Sequence, residues 1–197
     1  MFLRRLFSSI FAGKPEIPSV APVNHEPIAA QVSGDPWVQF MLHGSKPHGH
    51  SLSDILDFNR GAFDTHHDFV QWLFPNREAS PVNPLAPVLT DFHVRAYEAI
   101  PELRDSVDQA SLKFLSFLGL REVATGIEQT DDFSQGSQYW LCRVDHNHRR
   151  ISRFMTFYCE LGHKDKAKAL LRYLESALGG AGLSEIHALP YWRAIVR

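Results

Sequence analysis

Apolar residues recur at helical spacing along most of this chain, and the caps between them set the element boundaries. Ser51-x-x-Asp54 reads as a capping box opening a short helix with Leu52, Ile55 and Leu56 on one side, ending near Gly61. Thr65-x-x-Asp68 predicts the next start, carrying Phe69, Val70, Trp72 and Leu73 until Pro75 stops it. Thr90 caps a third helix that ends before Pro101, and Pro101 opens a fourth with Leu103, Val107, Ala110, Phe114, Leu115 and Leu118 inward, closed by Gly119. Asp145 caps the following one, where Ile151, Phe154, Met155, Tyr158 and Leu161 form a single stripe up to Gly162. Ala167, Leu170, Leu171, Leu174 and Leu178 mark another, ended by Gly179-Gly180, and Pro190–Val196 adds a turn or two. The stretch Arg121–Gly136 is polar and reads as loop, and no strand-period run stands out. The expected fold is all-α: a single multi-helix orthogonal bundle covering residues 36–197.

Proline placement divides the rest. Pro15, Pro18, Pro22, Pro27 and Pro36 lie in a stretch without hydrophobic period, so 14–35 reads as a disordered Pro-rich linker. Before it, Phe2, Leu3, Leu6, Phe7, Ile10 and Phe11 alternate with Arg4, Arg5, Ser8 and Ser9. Residues 1–13 thus form a basic amphipathic leader, and residues 1–11 are the part suited to lie on an anionic membrane surface. A second cluster, Pro75, Pro81, Pro84 and Pro87, is flanked by strong apolar segments and reads as an ordered irregular loop.

Composition narrows the function classes. The 197 residues are 44% hydrophobic and 21% charged with a net charge of −2, which suits a globular chain and lacks the basic excess of a nucleic-acid-binding domain. Cys142 and Cys159 match neither a zinc spacing nor a disulfide framework, so a reducing, cytoplasmic setting is expected, with peripheral membrane contact only through the leader. No P-loop, dinucleotide fingerprint, nucleophile elbow or HExxH motif occurs, and no cofactor is expected.

One segment is more specific than any periodicity. His67-Asp68-Phe69-Val70-Gln71-Trp72-Leu73-Phe74-Pro75 is followed by Arg77-Glu78-Ala79-Ser80 and by Asn83-Pro84-x-Ala86-Pro87-x-Leu89-Thr90. A second block, His146-Asn147-His148-Arg149-Arg150-Ile151-Ser152-Arg153, lies far downstream. Together the two blocks resemble the signature of the opioid growth factor receptor conserved-domain family. Phe40–Gly44 and Ser51–Leu56 extend the likeness, which covers roughly residues 36–178. Phe69, Val70 and Ser152 replace the family's usual Tyr, Ile and Thr, changes that leave packing intact. The chain carries no counterpart of the vertebrate receptor's C-terminal repeats, so the resemblance implies a compact, bacterial-type member: a receptor-like helical binding module without catalysis.

Two polar groups are candidates for chemistry. His66, His67, Asp68 and His146 are residue types that bind zinc, iron or manganese, and a His-Asp pair in a helical chain suggests an HD-like metal-dependent phosphohydrolase as the alternative. Their spacing is weak, since adjacent His66 and His67 diverge by about 100° on a helix. Arg149, Arg150 and Arg153 near a helix start suit a phosphate or carboxylate, with His146 and Asn147 adding donors. The expected ligand-binding set is therefore His67, Asp68, Trp72, His146, Asn147, Arg150 and Arg153, taking a protein, a peptide or a small anionic ligand. Within it, Asp68 is expected to pair with Arg150 or Arg153 beside Trp72, lining the main pocket.

Overall fold

The computed structural model describes residues 31–81 and 83–197. The leader and most of the linker lie outside the described residues. Those described form ten helices and one two-stranded hairpin. The helices are α1 (Pro36–His43), α2 (Leu52–Leu56), α3 (Arg60–Thr65), α4 (Val70–Leu73), α5 (Asp91–Ala99), α6 (Pro101–Phe117), α7 (Phe133–Ser137), α8 (Asn147–Glu160), α9 (Lys164–Gly180) and α10 (Leu189–Ile195). Packing centres on α8 against α9 and α10, while α6 receives α1, α2 and α5. Four tryptophans, Trp37, Trp72, Trp140 and Trp192, are buried in one continuous core.

Most starts follow from local chemistry. Ser51 and Asp54 cap each other reciprocally: Asp54 Oδ2 accepts from the Ser51 amide at 2.8 Å, and Ser51 Oγ accepts from the Asp54 amide at 3.2 Å. Pro101 occupies the first turn of α6, where its missing amide costs nothing. At α5, His93 Nδ1 accepts from the Thr90 amide at 3.0 Å. That nitrogen is then unprotonated, so Nε2 carries the hydrogen and donates to Asp35 Oδ2 at 2.9 Å. Asp35 also accepts from the Val38 amide, capping α1. One carboxylate thus ties the starts of α1 and α5 together. Burial pushes the Asp35 carboxyl up, but the His93 and Val38 hydrogen bonds outweigh it and hold the group below its ordinary value.

The expectation of a purely helical chain needs correction in Arg121–Gly136. Leu120–Val123 (β1) pairs antiparallel with Gly126–Gln129 (β2), Leu120 opposite Gln129 and Val123 opposite Gly126. Only Leu120 of these residues is fully buried, so the strands show no apolar alternation to read. Gly119 ends α6 with φ +76°, and α7 follows the hairpin. Gly136 of α7 lies so close to Gly119 that a Cβ there would overlap the Gly119 backbone. Glycine is required by that approach.

The first signature block also starts its helix elsewhere than Thr65-x-x-Asp68 predicts. Asn59, not Thr65, opens the helix there: its side chain accepts from the Ala62 amide at 2.9 Å, and Gly61 lies inside α3. Thr65 is the last residue of α3, with its hydroxyl bonded back to Gly61 O at 2.9 Å. The chain bends through His66–Asp68 and starts the single turn of α4 from Phe69.

Candidate functional site

Helix C-termini leave carbonyls without intrahelical donors. Here arginine side chains from outside each helix supply many of them. Arg104 reaches Tyr97 O and Glu98 O at the end of α5, and Arg60 reaches Ser116 O and Phe117 O at the end of α6. Arg153 Nη1 donates to Phe74 O, just past α4. Arg150 closes α3: Nη1 donates to Phe63 O at 2.8 Å, and Nη2 donates to Asp64 O at 3.0 Å and His66 O at 2.7 Å. His67 Nδ1 lies 3.1 Å from the same nitrogen, and the guanidinium carbon sits 5.7 Å from the Phe69 ring centroid. A cation is also what the negative end of a helix favours.

Arg150 is 6% exposed. Burial lowers its pKa to about 10, with Asp64 and Asp145 acting in the opposite direction, so it stays charged at neutral pH. Asp64 is the carboxylate of this junction. Its Oδ1 accepts from Asn147 Nδ2 at 2.8 Å and lies 3.1 Å from His146 Nε2. Asn147, fully buried, also donates to Tyr139 O, and its amide donates to Asp145 Oδ1 at 2.7 Å. The His67 and His146 rings meet edge to face at 5.3 Å. The two signature blocks therefore do meet in space, as a lock between the end of α3 and the start of α8.

Of the seven expected residues, His67, His146, Asn147 and Arg150 converge here. Asp68 does not. It is exposed and forms no ion pair among the described residues; its backbone carbonyl accepts from Asn83 Nδ2, and its charge acts on His48. The expected Asp68–arginine pair does not form: Arg150 takes backbone carbonyls, that of Asp64 among them, while the Asp64 carboxylate serves Asn147 and His146. Trp72 packs against Phe40 and His48 and accepts from Trp37 Nε1 through its carbonyl, and Arg153 serves Phe74, so neither joins the junction. Asp64 was hidden because Thr65-x-x-Asp68 masked the end of α3; Asn59 at the true start, with Phe63 four residues on, was the available signal. Among the described residues no three His, Cys, Asp or Glu side chains are grouped to hold a metal ion, the set His66, His67, Asp68 and His146 included.

An opening lies beside the junction. A groove of about 920 Å³ runs between the segment Arg143–Asp145, the start of α8 and α10. His148, Arg149, Ser152, Ala188, Tyr191, Ala194 and Ile195 line it. Its polar floor is internally satisfied: His148 Nε2 bonds Trp140 O at 2.8 Å, and Trp192 Nε1 donates to Ser152 Oγ and to His148 O. Val144 and Tyr191 stand 83% and 59% exposed at its edge. None of the seven expected residues lines this groove. Asp145 joins the two regions, since it caps α8 and borders the groove.

Residues 40–197 match the model of the opioid growth factor receptor conserved region. The chain belongs to that family. It is 32% identical to the rat and mouse opioid growth factor receptors, over 77% of this chain and 27% and 25% of theirs. Mouse opioid growth factor receptor-like protein 1 is 26% identical over 66% of this chain and 28% of its own. The chain thus spans about a quarter of the length of the curated relatives it matches. No solved structure matches it. Among the described residues of this family member, no helix is long and apolar enough to cross a membrane.

Proposed function

We propose that this chain is a helical binding module of receptor type, without catalytic chemistry, whose ligand lies in the groove between α8 and α10. The groove itself carries the reading: an open, mainly apolar surface with exposed Val144 and Tyr191 and cationic Arg143 and Arg149 at its rim. Its polar interior is taken up by structural hydrogen bonds, which leaves apolar burial and rim charge as the means of recognition. The curated relatives are named receptors, and a binding role carries over from that name more readily than an activity does. The Arg150–Asp64–Asn147 lock holds the start of α8, one wall of the groove, against the end of α3.

Ala194 is exposed on α10, so Ala194→Trp fills the groove without disturbing the core. Short peptides selected for binding to the full chain are expected to lose at least tenfold in affinity against this variant. Their amide chemical-shift changes should centre on Val144, Arg149 and Tyr191. Binders indifferent to the filled groove would defeat this assignment. So would stoichiometric zinc, iron or manganese in tag-free protein, lost on His67→Ala together with phosphate-ester hydrolysis.

A further inference from the structure

We infer that the occupant of the groove is an acidic segment of a partner polypeptide, one that seats an apolar side chain between Val144, Tyr191 and Ile195 and sets carboxylates against Arg143 and Arg149. This rests on the binding reading above and names its ligand class. Elsewhere on the surface, Arg77, Arg121 and Arg193 each hold a carboxylate at 2.6–2.7 Å, while Arg95 and Arg172 are exposed without one among the described residues but line no groove with a second arginine. Arg143 and Arg149 are exposed, flank one groove, and have no acidic partner among the described residues. The one acid lining the groove, Asp145, is occupied: its Oδ1 caps α8 at the Asn147 amide and lies 3.4 Å from His146 Nδ1. A basic rim on a chain of net charge −2 is a local departure, and such a patch selects partners of opposite sign.

The apolar geometry argues for a polypeptide over a small molecule. A small ligand is mostly enclosed by its pocket, whereas Val144 and Tyr191 stand open at the edge and need a partner that reaches past the groove to cover them. Exposed tyrosine beside arginine is also the composition that dominates protein interfaces. Nucleic acid fits poorly, because two arginines neutralise few phosphates where such proteins use about six to ten contacts. The chain's own residues 1–13 carry Arg4 and Arg5 and no acid, so the rim repels them.

The test uses a phage-displayed library of random twelve-residue peptides, selected on the full chain and counter-selected on Ala194→Trp. Recovered peptides are remade with a fluorophore and titrated by anisotropy. Groove-dependent clones are expected to be enriched in Asp and Glu beside an aromatic or aliphatic residue. Their affinity should fall at least tenfold on the double reversal Arg143→Glu/Arg149→Glu and several-fold between 50 and 300 mM salt, since exposed charges are screened. Both arginines are exposed, so circular dichroism of the double variant should be unchanged. Groove-dependent clones that are neutral or basic, or indifferent to the reversal, overturn the acidic partner and leave the groove reading standing. Clones indifferent to Ala194→Trp overturn the groove reading first. Tighter groove binding by a synthetic peptide of residues 1–13, or self-association abolished by Ala194→Trp, assigns the surface to this chain itself and overturns the inference.

Discussion

Replacing Arg150 with alanine tests the lock between the two signature blocks. The buried Phe63 carbonyl loses its donor, which costs about 1–3 kcal/mol. The carbonyls of Asp64 and His66 are only part-buried and regain water, so each costs about 0.5–1.5 kcal/mol. Loss of the cation over the Phe69 ring adds about 0.5–1 kcal/mol. Relief of the guanidinium's own desolvation, the same burial that lowers its pKa to about 10, works the other way. The net expectation is a loss of about 3 kcal/mol, or a Tm lower by about 6–12 °C for a domain of this size. Urea unfolding followed by tryptophan fluorescence reads it, because all four tryptophans are buried. Arg150→Lys keeps the charge but not the fork, and is expected to fall between the two at about 1–2 kcal/mol. Asp68→Ala should change stability by no more than about 0.5 kcal/mol, as for any exposed unpaired side chain. An Arg150→Ala loss below about 1 kcal/mol, or an Asp68→Ala loss as large as that of Arg150→Ala, would refute the reasoning.

Gly136→Ala places a methyl group into the Gly119 backbone and should cost more than about 2 kcal/mol in urea unfolding, although alanine is ordinarily the better helix former. Trp192→Phe drops the donor to Ser152 and His148 and leaves a gap where the indole's second ring packed in the core, with an expected loss of about 2–4 kcal/mol in the same assay. Asp35 has a lowered folded pKa, so its contribution is present above the ordinary carboxylate value and disappears as pH falls through the folded one. The stability gap between wild type and Asp35→Asn should therefore hold steady from pH 7 to about pH 5 and shrink below about pH 4. A gap that widens on acidification would contradict the sign.

The features legible in the sequence are those decided within a few residues. The Ser51–Asp54 box, the Thr90 start, Pro101 at the head of α6 and the stripe Ile151–Leu161 all depend on neighbours three or four positions away. Gly162 at φ +85° ends α8 for the same local reason. Reading failed where local signals competed. Thr65 and Asp68 have the residue types of a capping box, yet Asn59 had already started a helix that Thr65 ends. The hairpin escaped because its four-residue strands bury only Leu120 fully and so show no apolar alternation.

What the sequence determined by itself is the helical character of this chain and its family, since both reside in short patterns that survive without knowledge of long-range contacts. The signature blocks could even be expected to meet. Which atoms meet was decided only by the tertiary structure. Arg150 finds its carbonyls 84 to 87 positions away, at the end of a six-residue helix, and Asn147 finds Asp64 across 83. A guanidinium serves whichever acceptors the fold leaves without donors, and those are known only once every helix end is in place. The groove has the same origin. Tyr191 and Arg149 border one opening because α10 packs on α8, and nothing in the spacing of either segment specifies that approach.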